Sequence, residues 1–188
     1  MTGLLILSAS RSGTSMTAGL FHAHGVFFGD CVGPAPMNRK GFFENKWLKR
    51  VYKGEIHCSD FASAWAGTLK REGFTGGVWG AKAGAERWAQ YWHKVPDIEA
   101  IVLVYRPKQS IEKSRAKAGF NPSRQSVEYN WNVMRELHES GFPTFEVNTP
   151  KLIDGDYSEV IPIFDRLGLT FSAETARDWI DPDLWHHR

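Results

Sequence analysis

An α/β fold, with helices on both faces of a mainly parallel central sheet, is predicted by three features of this 188-residue chain. Short apolar runs alternate with amphipathic segments of helical length along most of it. The run Ile98 to Tyr105 is almost unbroken in its apolar character, as expected of a central parallel strand buried on both faces. The first apolar run, Leu4 to Leu7, passes through a small-residue loop directly into a helix-like segment, the strand–loop–helix unit of such sheets.

The elements follow in order. The first strand covers Leu4 to Leu7, and the first helix begins near Met16 and ends near His24-Gly25. Val26 to Phe28 is a candidate short strand before a Gly- and Pro-containing loop over about residues 29–43, long enough to suggest function or mobility. Glu44 to about His57 places Trp47, Leu48, Val51, Tyr52 and Ile56 on one helical stripe, with its lysines mainly opposite. A helix over 60–72 carries Phe61, Trp65 and Leu69 four residues apart, and residues 76–82 form a short strand. Ala85, Trp88, Ala89 and Trp92 mark a short amphipathic helix stopped near Pro96. The central strand Ile98 to Tyr105 then leads into a helix from Pro107, where proline suits the first turn. The next helix has Asn121 as its cap, Pro122 in its first turn, Val127, Trp131, Met134 and His138 along one side, and Gly141 just past its end. Thr144 to Val147 is a further parallel strand, and Tyr157 to Leu167 a last helix. Ligands of such sheets bind at the carboxyl ends of the strands, which brings together the loops after Leu7, Lys82 and Tyr105.

Length suits one domain over residues 1–188, and the 42% apolar and 23% charged content is that of a globular protein. No apolar run approaches the roughly 20 residues of a membrane span, and the start lacks the pattern of a secretory signal. A cytoplasmic location without a membrane partner is therefore expected. Cys31 and Cys58 lack zinc-ligand spacing and are expected to be free thiols. A net charge of +2 gives no basis for a nucleic-acid partner. Residues 39–53 are locally basic, either to attract an acidic ligand or as the wet side of a helix.

The chemistry-bearing stretch is Ser8-Ala9-Ser10-Arg11-Ser12-Gly13-Thr14-Ser15 between the first strand and helix. Such a loop presents backbone N–H groups at a helix N-terminus, where the macrodipole favours an oxyanion. Arg11 adds a forked cationic donor, and Thr14 and Ser15 add hydroxyls. The same order also occurs in α/β proteins with no ligand there. The loop lacks the G-x-x-x-x-G-K-[ST] lysine of nucleotide kinases and ATPases, so it is expected to bind an anion in another style. Arg106 ends the central strand and Ser114 lies eight residues on, two turns into the following helix, so the two can converge on a second phosphate.

Together these two elements resemble the sulfotransferases that use 3′-phosphoadenosine 5′-phosphosulfate (PAPS). That family has a [KR]-S-G-T-[ST] loop after its first strand, matched by Arg11-Ser12-Gly13-Thr14-Ser15, and an arginine followed eight residues later by a serine, matched by Arg106 and Ser114. Lys40-Gly41-Phe42-Phe43-Glu44-Asn45 is similar to the G-[FY]-[FY]-E segment of its bacterial branch, and Val78 to Lys82 and Leu167-Gly168-Leu169 match further stretches in the expected order. The resemblance implies a P-loop NTPase-like fold, with the loop residues Arg11 to Ser15 on the 5′-phosphosulfate and Arg106 and Ser114 on the 3′-phosphate. Three departures stand out. Ala83-Gly84 replaces the Asp-Pro that often follows the lysine, which leaves the role of Lys82 open. Met16 stands where many relatives have an adenine-stacking tryptophan, and the chain is short for the family.

The implied activity is transfer of a sulfuryl group from PAPS to a hydroxyl or amine of a small-molecule or carbohydrate acceptor, with no metal required. Arg11 is expected to stabilise charge on the leaving oxygen. Glu44 is the expected general base, with His57 or His24 as substitutes. The bland alternative for Glu44 is a first-turn acid complementing its helix dipole. Most of the eight tryptophans read as core, with one or two near residues 47–65 as acceptor-pocket candidates. An atypical P-loop kinase and a non-catalytic phosphoadenosine-binding module remain the alternatives.

Overall fold

The computed structural model describes residues 1–36, 38–119 and 126–182. Four strands, β1 (Thr2–Ser8), β2 (Val78–Gly84), β3 (Ile98–Tyr105) and β4 (Thr144–Asn148), form one sheet in the order β2-β1-β3-β4, and all neighbouring pairs are parallel. Side-chain alternation along β1 divides the core into two layers. Leu4 and Ile6 pack on α1 (Thr14–Ala23) and on α7 (Ile161–Arg166) through Ala18, Leu20, Phe21, Ile163 and Phe164. Leu5 and Leu7 face the opposite layer, α2 (Lys46–Tyr52), α3 (Phe61–Arg71) and α5 (Val127–Glu139), through Leu48, Trp65, Leu69 and Met134. Helices thus cover both faces, which is why β1 and β3 tolerate continuous apolar sequence.

Two strand connections leave the centre in opposite directions. From β1 the chain goes to β2 on one side, and from β3 it goes through α4 (Lys108–Lys117) and α5 to β4 on the other. Strands whose connections diverge leave a crevice at their carboxyl ends, and here it opens between the loops that carry Arg11 and Arg106.

Several element boundaries differ from the sequence reading. The expected helix over 44–57 is only α2, because the Asn45 side chain accepts from the Trp47 and Leu48 N–H groups as its cap and Gly54 turns the chain at φ 75°. The expected helix from Ala85 to Trp92 is two short 3₁₀ turns, Ala85–Arg87 and Trp92–Lys94. Trp92 is fully buried there against the rings of Phe61, Trp65 and Trp79. Val26 to Phe28 contributes a single bridge, Phe27 to Trp79, at the edge of β2. The last helix is shorter than expected, and α6 (Thr149–Ile153) and α8 (Ala173–Trp179) went unread. The expected cap Asn121 and first-turn Pro122 lie outside the described residues; α5 as described is capped by Ser126.

The loop after Gly29 is tied down. Val32 N–H donates to the Glu44 carbonyl at 2.8 Å and Phe42 N–H to the Val32 carbonyl at 3.2 Å, while Lys40 Nζ reaches the Trp179 carbonyl at 2.5 Å. Among the described residues no helix is long and apolar enough to cross a membrane.

Candidate active site

The loop after β1 is shaped by its backbone. Arg11 has φ 76° and Gly13 φ 96°, and Gly13 caps α1 without a side-chain hydrogen bond. The first-turn amides of α1 therefore meet no capping side chain and face the crevice with the positive end of the helix dipole. Ser12 is fully buried, and both its hydroxyl and its N–H donate to the Ala9 carbonyl, at 2.7 and 3.3 Å. Its side chain holds the turn and does not line the crevice.

Arg11, Arg106 and Ser114 come together although the last two lie more than ninety residues from the first. Arg11 Nε donates to Ser114 Oγ at 3.0 Å, and Arg106 Nη1 donates to the Arg11 carbonyl at 3.2 Å. Burial and the neighbouring Arg11 charge push the Arg106 guanidinium down to about 10. Two cations held this close are a receptor for anions, since a bound anion relieves both the desolvation and the repulsion.

These groups line one cavity of about 590 Å³, which also includes Thr14, Ser15, Met16, Glu44, Lys82 and Trp179. The size is that of a cofactor pocket. Lys82, on β2, is only 8% exposed at its side chain, and its ammonium donates to Ser15 Oγ at 3.0 Å and to the Phe42 carbonyl at 2.5 Å. Burial lowers its pKa below the usual lysine value, with the attraction of Glu44 acting against that shift. Glu44 Oε1 lies 3.5 Å from the Lys82 ammonium and Glu44 Oε2 lies 3.8 Å from Lys49. Glu44 precedes the cap Asn45 instead of occupying the first turn of α2, and its carboxylate lies between Lys82 of β2 and Lys49 of α2. Ser15 gives its hydroxyl proton to the Phe42 carbonyl at 3.2 Å, which joins the loop after β1 to the Phe42–Glu44 segment.

The histidine substitutes for the base do not line this cavity. His24 uses one ring nitrogen on the Leu20 carbonyl at 2.7 Å and accepts from Ser172 N–H on the other at 3.1 Å, with its ring stacked on Phe171. His57 borders a separate hollow with Cys58 and Asp60. Nor do Trp47 and Trp65 line the site; among the described residues the indole that does is Trp179.

Two contributors, Thr149 and Arg115, are not among the residues the sequence singles out. Thr149, fully buried just past the end of β4, shares its hydroxyl proton between the carbonyls of Ser12 and Tyr105, each 3.1 Å from Oγ1. Arg115 Nε donates to the Ser10 carbonyl at 3.2 Å and braces the loop from α4. Lys82, singled out by the resemblance and by its strand-end position with its role open, lies in the cavity against Glu44. For Thr149 the strand order has to be known first.

The fold is a parallel α/β sheet with a crevice lined by Arg11, Lys82 and Arg106 at its strand carboxyl ends. No protein-family model and no curated protein matches the sequence. Among solved structures the chain is similar to a sulfotransferase domain from the curacin biosynthetic pathway, with TM-score 0.58 and 13% identity over 93% of this chain and 77% of that one. It is also similar to a sulfotransferase of Mycobacterium tuberculosis H37Rv, with TM-score 0.54 and 13% identity over 95% of this chain and 70% of the other. The fold is that of these bacterial sulfotransferases.

Proposed function

We propose that the protein is a PAPS-dependent sulfotransferase acting on a hydroxyl or amine acceptor. The observation that carries this reading is the convergence of Arg11, Ser114 and Arg106 at the first-turn amides of α1. One oxyanion pocket at a helix N-terminus would take a 5′-phosphosulfate, and the buried Arg106, which lines the same cavity as Ser114, would take a 3′-phosphate.

The residues present fit such a donor, because three cations, Arg11, Lys82 and Arg106, crowd one cavity in which burial disfavours the charge on two of them. The donor supplies an electrophilic sulfur whose bond to the bridging phosphate oxygen breaks as the acceptor bonds to it, leaving adenosine 3′,5′-bisphosphate. Arg11 and the amides of Thr14 and Ser15 hold the anion and stabilise negative charge that grows on the leaving side. Glu44 takes the acceptor proton, and Lys82 fixes the carboxylate through the 3.5 Å contact while keeping its own charge over the cavity. Glu44→Gln is expected to bind ligand normally and lose most turnover.

A thermal-shift comparison tests the reading. Adenosine 3′,5′-bisphosphate is expected to raise the melting temperature without metal. Stabilisation by ATP with Mg²⁺ alone would replace it with the kinase alternative.

A further inference from the structure

We infer that the acceptor carries an anionic group, and that Lys49, Lys53 and Arg87 form the subsite that receives it. This deepens the sulfotransferase reading and rests on it. Seven cationic side chains line the cavity against three carboxylates. Arg11 is bonded to Ser114 and Arg106 to the Arg11 carbonyl, and Lys82 sits between the loop after β1 and Glu44. The other cations are anchored elsewhere. Lys40 is fastened to the carbonyl end of α8, while Lys49, Lys53 and Arg87 surround Glu44 and Tyr52.

The geometry of α2 makes this placement specific. Leu48, Lys49, Tyr52 and Lys53, spaced i, i+1, i+4 and i+5, all border the cavity and therefore share one face. Lys46 and Arg50 do not border it; they pair with Asp30 and Glu55, the latter carboxylate shared with Lys53. Two of the helix's basic side chains thus border the cavity beside an apolar leucine and an aromatic ring, at its water-exposed rim. Arg87 is held across the gap, its guanidinium 5.2 Å from the centre of the Tyr52 ring, and the Tyr52 hydroxyl is itself fixed by Trp92 Nε1 at 2.8 Å. Such stacking orients a guanidinium with little loss of freedom on binding.

The present partners of these cations are exchangeable. Lys49 meets Glu44 at 3.8 Å, Lys53 meets Glu55 at 3.5 Å and Arg87 meets Glu86 at 3.6 Å, all long contacts, the first two at a wet rim. Pairs of that kind are screened and weak, so a ligand carboxylate, sulfate or phosphate displaces them readily. The subsite would place an acceptor's ring or chain on Leu48 and Tyr52, its anion at the rim and its nucleophile toward Glu44.

The test is calorimetric titration of protein saturated with adenosine 3′,5′-bisphosphate. Two matched probe pairs are used, 4-nitrophenyl β-glucoside with 4-nitrophenyl β-glucuronide, and 4-hydroxyphenylacetamide with 4-hydroxyphenylacetate. The carboxylate member of at least one pair is expected to bind roughly tenfold more tightly, with the gap shrinking as salt rises. In the Lys53→Gln/Arg87→Gln double variant the gap should close while bisphosphate affinity stays within about twofold by the same charge-screening argument. Lys53→Glu, at an exposed helix end, should favour the neutral members. Equal binding within both pairs, no binding of either carboxylate, or a gap that survives in the double variant overturns the inference. Absence of bisphosphate binding to the unmodified protein instead defeats the sulfotransferase reading itself.

Discussion

At Lys82, burial and function pull in opposite directions. A base whose pKa is lowered in the folded chain is bound to its proton more tightly when unfolded, so stability rises with pH between the lowered value and the ordinary 10.5. Below that window the buried ammonium is a standing cost, and Lys82→Met removes it while leaving the 42% exposed Glu44 in contact with water. The variant is expected to melt at the same temperature as the parent or a few degrees higher, by the usual scaling of about 2–4 °C per kcal/mol. Its turnover with PAPS should fall by about a hundredfold or more, the usual effect of deleting one preorganised charge donor. A matching loss of stability would show that Lys82 is structural. Arg11 carries a second conflict, because an L-residue at φ 76° is strained. Arg11→Gly and Arg11→Ala should both lose turnover, but chemical denaturation should find the glycine variant more stable than the alanine variant by about 1 kcal/mol. The Arg11, Arg106 and Ser114 cluster was legible in the sequence because each motif has a fixed place at a strand end. Lys82 was legible only as a position, since its burial and its contact with Glu44 depend on how the loop after Gly29 folds back.

Among the elements, the docking of α8 on α1 is the least foreseeable and the most specific. Gly19 faces the Trp179 indole so closely that an added Cβ would lie 1.8 Å from the ring, and the indole N–H donates to the Met16 carbonyl at 2.9 Å. Phe43 meets the same ring edge-on at 5.6 Å, so α8 also supports the segment before Glu44. Gly19→Ala is expected to displace the indole, cost about 1–3 kcal/mol by overpacking and lower the melting temperature accordingly. A red shift of tryptophan emission should accompany it, and an unchanged melt would show that the indole can move aside freely. Helix α8 escaped the sequence reading because seven residues with a single buried alanine, Ala176, carry little periodicity. The longer elements were recovered because the sheet buries whole runs, as in Leu4 to Leu7, and because α5 repeats its apolar stripe over thirteen residues. The 3₁₀ turns around Arg87 misled for the opposite reason: their tryptophans follow a helical spacing, yet Trp92 is placed by the aromatic cluster it fills.

For the whole molecule, a net charge of +2 hides a concentration of positive charge at one end of the sheet. The order β2-β1-β3-β4 opens a crevice between β1 and β3, and Thr149 just past the end of β4 locks the loop after β1 to the end of β3. The fold thereby brings Arg11 and Arg106 together, and under the proposed function each meets one of the donor's two phosphate positions. The central claim is tested by calorimetric titration with adenosine 3′,5′-bisphosphate and, separately, adenosine 5′-monophosphate. The bisphosphate is expected to bind about a hundredfold more tightly, as a buried charge-assisted phosphate contact allows, and Arg106→Ala should erase the difference. Equal affinity for the two nucleotides in the unmodified protein would contradict the account.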